Sequence, residues 1–209
     1  MTVDVMARPE AGIEHSEAQE AAEVYKEAVE RLRDIDEALA ELLARRTQQV
    51  AEMSRAKRSL GLPIFSGVRE GLVIERFAQE AETVGIRREQ GVETISLIVA
   101  ESRRVQADLG TAGPVPLDAD TAHELIEFVR AQIDEIDPII AGLLGERLIT
   151  AEVVREAQVA AGMGYDIDDE VEAFEEFLNL AEAGGVRRAA AASIMMPYIT
   201  VSPRRATAP

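Results

Sequence analysis

The 209 residues include no cysteine and no tryptophan. Without cysteine there is no disulfide framework, no thiol nucleophile and no thiolate metal site. Aromatic residues are 4% of the chain while hydrophobic residues are 47%. With Ala, Glu, Leu, Val and Arg abundant, that balance favours helices over sheets. No apolar run is long enough to span a bilayer, and residues 1–12 lack the apolar core of a signal peptide. A soluble, cytoplasmic protein is therefore expected. Positive charge is scarce: 22 Lys and Arg face 39 Asp and Glu, a net charge of -17. With no general basic face, nucleic acid is a poor partner for the chain as a whole. An anionic small molecule fits only if a few cations converge in one pocket.

Such cations are present in the stretch Leu32 to Lys57. Its apolar stripe runs Leu32, Leu39, Leu43, Val50 and Met53, in steps of three and four once Asp36 and Arg46 are counted. That is the one-face period of a helix. Arg46, and Lys57 one step past Met53, place two cations on a face that should be buried, where an unpaired charge is costly. Either they pair with acids of neighbouring helices or they meet a buried anion.

In chain order, residues 1–15 read as a polar leader. Ser16 with Gln19 resembles a capping box opening a helix that continues to about Leu60, where Gly61, Leu62 and Pro63 stop it. A second helix opens at Ser66 as N-cap and runs to about Val84, ended by Gly85. A third covers about Arg88 to Ala107, with Ser102 and Gln106 completing an apolar stripe. Residues 108–120, with two Gly and two Pro, read as a linker, and Thr121 with Glu124 gives a second capping box.

After the linker the first pattern returns. Ile35-Asp36, Leu39, Leu42-Leu43 and Arg46 recur 101 positions later as Ile136-Asp137, Ile140, Leu143-Leu144 and Arg147, and Gly61-Leu62 as Gly162-Met163. The expectation is an all-α chain of two tandem three-helix units, 16–107 and 121–196, followed by a tail at 197–209. At the same displacement Val29 matches Arg130, Lys57 matches Gln158, Arg69 matches Glu170 and Glu70 matches Val171. The first unit thus keeps inward Arg46, Lys57 and Arg69, while the second keeps Arg147 and gains Arg130. Asp166, Asp168, Asp169, Glu170 and Glu172 read as a solvated helix N-terminus. Pro138, inside the expected long helix of the second unit, is expected to kink it or to restart it after Asp137.

The first unit resembles the all-helical chorismate mutase family, whose small three-helix protomers dimerise through long first helices. The resemblance rests on LRDIDEALAELLARRTQQVAEMSRAK (Leu32–Lys57), Pro63, Arg69-Glu70, and Glu101-Ser102 with Gln106. It implies a fused pseudo-dimer with a degenerate second copy, placed in the shikimate route to aromatic amino acids and needing no cofactor or metal. By position it makes Arg46 and Lys57 the cations for the carboxylates of a dianionic substrate. Lys57 and Gln106 become donors to its ether oxygen, and Glu70 the holder of the ring hydroxyl. Arg69 and Ser102 complete the pocket, and Ser66 stands where the family commonly has Asp. The arginine that a partner protomer supplies maps to Val29 in the first unit and to Arg130 in the second.

The implied activity is the rearrangement of chorismate to prephenate. Close alternatives are the same reaction on 4-amino-4-deoxychorismate, or pyruvate elimination from isochorismate. An alternative of another class is a non-catalytic helical interaction protein. The chain is expected to be a monomeric pseudo-dimer or a homodimer. Ser193 is matched approximately to Ser102, which would put Pro197 at the place of Gln106 and leave the second unit inactive.

Overall fold

The computed structural model describes residues 10–109, 117–164 and 167–199, with the side chains of 10–15 and 167–169 left aside. These residues form six α-helices and a closing 3₁₀ turn: α1 (Glu10–Ser59), α2 (Gly67–Thr83), α3 (Arg88–Leu109), α4 (Ala119–Ala160), α5 (Ile167–Ala183), α6 (Arg188–Met195) and Met196–Tyr198. At ~1.5 Å per residue α1 is about 75 Å long, too long for one small core to cover. From Ile35 to Ala56 it packs against α4. The packing is antiparallel: Arg46 bonds to Asp137, while Arg147, further along α4, bonds back to the earlier Asp36.

Two apolar clusters hold the pair together. The larger centres on Ile35, Leu39 and Leu43 of α1 against Ile136, Ile140 and Leu144 of α4, flanked by Phe77 of α2 and Phe177 of α5. The smaller joins Val50, Met53 and Ala56 to Ile126, Val129 and Ile133. Between the long helices lie two buried ion pairs. Arg46 donates to the Asp137 carboxylate at 2.6 and 3.2 Å, and Arg147 to Asp36 at 2.7 and 3.1 Å. Burial holds the Asp36 carboxyl above the usual carboxylate range, with the Arg147 guanidinium opposing.

The recurrence seen in the sequence has a counterpart in these bonds. Lys57 Nζ donates to Ile64 O at 2.8 Å, and Gln158 Nε2 to Gly164 O at 2.9 Å. Arg88 pairs with Glu75 and Glu82, and Arg188 pairs with Glu175 and Glu182. Gly61 and Gly162 both turn at positive φ, 64° and 67°. The displacement is 101 up to these glycines and 100 afterwards, because the second loop is one residue shorter. That corrects part of the expected register. Glu70 corresponds to Glu170 rather than to Val171, and Arg69 to position 169 rather than to Glu170. At a displacement of 100 Ser193 falls on Glu93 rather than on Ser102, and it donates to its own helix at Ala189 O; Ser102 falls on position 202, outside the described residues.

Small residues set how closely the halves approach, and they do so reciprocally. A Cβ added to Gly184, behind α5, would stand 2.2 Å from Ala44 Cβ, and one added to Gly145 of α4 would stand 2.8 Å from Val84. Ala44 corresponds to Gly145, and Val84 to Gly184. Each contact therefore has glycine on one side.

Several expected boundaries move. α1 begins at Glu10, so Ser16 lies inside the helix rather than capping it, and 10–15 belong to α1 rather than to a leader; residues 1–9 are outside the described set. The cap of α4 is Asp118, not Thr121. Its carboxylate accepts from Thr121 N at 2.9 Å and Thr121 Oγ1 at 2.6 Å, a bond set worth ~1 kcal/mol. Of the expected linker, 108–109 close α3, 110–116 are outside the described residues, and 119–120 open α4. The start of the expected tail is ordered: Tyr198 is fully buried, its hydroxyl 2.7 Å from Thr94 Oγ1, and Arg147 Nη1 donates to its carbonyl at 2.6 Å. Of the acidic run, Asp166 and the side chains of Asp168 and Asp169 lie outside the description.

Pro138 neither ends nor restarts α4, which continues through it. Proline has no N–H to give to the carbonyl four residues back, which here is Asp134 O. Arg76 Nη2 of α2 reaches that carbonyl at 2.5 Å. A donor from the other half replaces the missing backbone bond, and Arg130 stays on one continuous helix with the core residues of α4.

Candidate active site

Where α1, α2, α3 and α4 converge, beside the smaller apolar cluster, there is a cavity of about 100 Å³. The first-half candidates all reach its wall: Arg46 and Lys57 from α1, Ser66, Arg69 and Glu70 from the start of α2, Ser102 and Gln106 from α3. Arg130 reaches the same wall from α4. The eight residues singled out in the sequence therefore meet in one place. Val50, Met53, Val99 and Ile133 supply apolar wall between the charges, which strengthens electrostatic interactions inside by excluding water.

Spacing on each helix explains the convergence. Arg46, Val50, Met53 and Lys57 are three and four apart, so one face of α1 presents the whole series. Ser102 and Gln106 repeat the interval on α3. Ser66 is the N-cap of α2, its hydroxyl accepting from Arg69 N at 3.4 Å. Arg69 and Glu70 therefore sit in the first turn, directed at the neighbouring helices rather than along their own.

The charges are not equally available. Arg46, 4% exposed, is held by Asp137 through Nε and Nη2, while its Nη1 donates to Ser102 Oγ at 2.7 Å. Pairing with an acid of a neighbouring helix, one of the two alternatives open in the sequence, is realised for this residue, so only the remaining N–H groups of Arg46 are left for a ligand. Arg69 donates to both oxygens of Asp134 at 2.7 and 2.8 Å. Arg130 pairs with the exposed Glu127 at 2.6 Å. Glu70 is gripped by Arg103.

Lys57 differs. It is 9% exposed and donates to Ile64 O, and no carboxylate of a described residue comes within ion-pair distance of it. Burial lowers its pKa below the ordinary lysine value, the nearby Arg130 charge lowers it further, and Glu70 opposes. Gln106 is 8% exposed and makes no hydrogen bond to any described residue. Its amide borders the cavity, where its donor is open to a ligand.

Three residues of the site were not picked out as such in the sequence. Arg103 lines the cavity but follows Ser102 immediately, off the stripe that a three-and-four spacing selects. Asp134 and Asp137 act from α4 on Arg69 and Arg46; for Asp137 the signal was present, an aspartate recurring within an apolar stripe at the same place as Asp36. The histidine at 123 takes no part: its Nδ1 meets Ala119 O within α4.

Comparison with known proteins points the same way. Residues 15–107 match the family model of chorismate mutase type II. Over 76 residues the chain is 33% identical to the T-protein of Enterobacter agglomerans, an alignment covering 36% of this chain and 20% of that protein. The chain thus spans about a fifth of the length of that curated relative. The crystal structure of chorismate mutase from Burkholderia phymatum superposes with a TM-score of 0.56 at 21% identity, covering 82% of this chain and 99% of the other. At that identity the likeness is one of fold, and its coverage reaches beyond the segment matched by the family model into the second half.

Proposed function

We propose, from the premise that residues 15–107 form a chorismate mutase type II domain, that the chain rearranges chorismate to prephenate in one composite cavity shared by its two halves. The second half would be a degenerate tandem copy whose contribution to that cavity is Arg130. The observation that carries the proposal is the meeting of Arg46, Lys57, Arg69, Gln106 and Arg130 around one cavity, from both halves of the chain.

The reaction is an intramolecular Claisen rearrangement: an ether C–O bond breaks as a C–C bond forms. It needs no nucleophile and no proton transfer to reach its product. The residues would therefore act by positioning and by electrostatics. Arg130, Arg69 and the free N–H groups of Arg46 would clamp the two carboxylates and hold the reactive conformer, where most of the available rate gain from orientation lies. As the C–O bond breaks, negative charge gathers on the ether oxygen. Lys57 and the Gln106 amide, both buried and neither committed to a carboxylate, would stabilise it. Glu70 would accept a hydrogen bond from the ring hydroxyl, with Ser66 in the position beside it.

In the second half, Arg147 is bound by Asp36 and by the Tyr198 carbonyl, and Gln158 replaces Lys57. No site is assigned there. The ligand is thus a small dianion, one per chain, and a monomer suffices to build the site. No described helix is long and apolar enough to cross a membrane. The test is direct: intact protein incubated with chorismate should convert it to prephenate, followed by loss of chorismate absorbance. No turnover, together with no thermal shift on adding chorismate, would leave the non-catalytic interaction protein as the better account.

A further inference from the structure

Among the described residues, the cavity wall carries five cationic side chains, Arg46, Lys57, Arg69, Arg103 and Arg130, and one carboxylate, Glu70. That carboxylate is already engaged. Arg103 Nε lies 3.2 and 3.1 Å from its two oxygens, and Arg103 Nη2 donates a further bond to Oε2. The pair spans from α2 to α3, with the Glu70 side chain largely covered and that of Arg103 more than half exposed.

The consequence depends on the ligand group that arrives. An ammonium entering this cavity would lose water beside Lys57 and four guanidiniums. Asp137, Asp134 and Glu127 offset Arg46, Arg69 and Arg130 from outside the cavity wall, so direct relief of the cost has to come from a carboxylate on the wall itself. The one on the wall is neutralised by a guanidinium. A hydroxyl makes a smaller demand. It needs a single lone pair, and a carboxylate offers about four acceptor sites, so Glu70 can accept an O–H while keeping its bonds to Arg103.

We propose that Arg103 is a specificity-determining residue: by holding Glu70, it makes the cavity select a dianion bearing a neutral hydroxyl over the same skeleton bearing an ammonium. The inference rests on the chorismate-class site described above, and in those terms it assigns chorismate over 4-amino-4-deoxychorismate. Arg103 acts through Glu70 and is a positioning residue. Because it stands at the solvent edge, its influence is limited, and releasing Glu70 should change the preference by about fivefold.

The experiment uses the full chain and both compounds, measuring kcat/KM for each and, separately, Kd by calorimetry. The wild type is expected to favour chorismate. Arg103→Gln is expected to shift the ratio toward the amine by about fivefold, and Arg103→Lys, which keeps the charge without the fork, should fall between. Adding Glu70→Gln to Arg103→Gln should cancel the shift, since the released carboxylate is then gone. A purely structural role for Arg103 would lower both substrates together and leave the ratio alone. An unchanged ratio overturns the proposal, and so does a wild type that prefers the amine; both leave the mutase assignment standing. Binding of neither compound overturns both.

Discussion

Replacing Arg130 with Ala separates a composite site from a site that belongs to the first half alone. The Arg130 side chain is 40% exposed and its partner Glu127 is 72% exposed. Breaking such a pair costs ~0–1 kcal/mol, so the variant should melt within a few degrees of the wild type. A hydrogen bond to a charged carboxylate is worth about 1.5–3 kcal/mol. After allowance for the Glu127 pair, the loss of substrate stabilisation should be about 1–3 kcal/mol, or about fivefold to 150-fold in kcat/KM. A second signature has the opposite sense. In the proposed site Lys57 would act as a cation, so activity should fall as pH rises through its pKa. Burial and then Arg130 lower that pKa, which places the alkaline limb of the wild type below the ordinary lysine range. Removing Arg130 takes away the second cause, and the limb should move to higher pH while the rate drops. Initial rates of chorismate loss from pH 6 to 10, with denaturation curves as control, give both readouts. A kcat/KM within about twofold of the wild type, or a limb displaced downward, would refute the shared site.

Three other outcomes are expected. Arg147→Met should lower unfolding free energy by about 3–5 kcal/mol because it leaves Asp36 buried without its partner. The double variant with Asp36→Leu should recover most of that loss in chemical denaturation; if it does not, the pair contributes more than desolvation theory allows. Gly184→Ala should destabilise by about 1–3 kcal/mol through the 2.2 Å approach to Ala44 Cβ. Ala44→Gly should rescue it in a double-mutant cycle, and simple additivity of the two changes would count against the contact. Gln106 donates without needing a proton, so the wild-type rate should stay level from pH 5 to 7. Gln106→Glu should confine activity to the acid side, where the carboxyl is protonated; a wild type that itself lost rate steeply between pH 5 and 7 would remove Gln106 from the mechanism.

The sequence displayed the site better than it displayed the ends of the helices. Arg46, Lys57, Ser102 and Gln106 were visible because each interrupts an apolar stripe at helical spacing, and spacing on one helix face survives folding. The recurrence of Asp36 and Arg46 as Asp137 and Arg147 told that two long helices resemble each other. It did not tell that each aspartate pairs with the other helix's arginine, since a register that brings together residues 91 apart in sequence is decided by packing. Arg103 and Asp134 stayed hidden for the same reason: both act on residues of another helix, off their own stripe. Asp118 outcompeted Thr121 as a cap because its carboxylate could take two bonds from that threonine at once. At Pro138 local propensity argued for a break, and a tertiary bond from Arg76 to the orphaned Asp134 carbonyl answered it. Register across the second loop slipped by one because that loop is one residue shorter, a difference that stays silent until matching hydrogen bonds are compared.

The bond between Arg46 and Asp137 also has a meaning in time. Its partners are separated by 91 residues, and those of the second buried pair by 111. At about 5–20 residues per second of synthesis, the first helix would leave the ribosome about 5–20 s before the helix that neutralises its buried arginine. During that interval Arg46 has no Asp137 to pair with, and the face of α1 that later meets α4 is open although α3 can already pack on the helix, so the nascent first half is exposed to aggregation and to chaperones. Arg130 emerges on the same late helix as Asp137. The newborn chain would therefore gain its last cation and its stable core together, and catalysis would begin only when folding is complete.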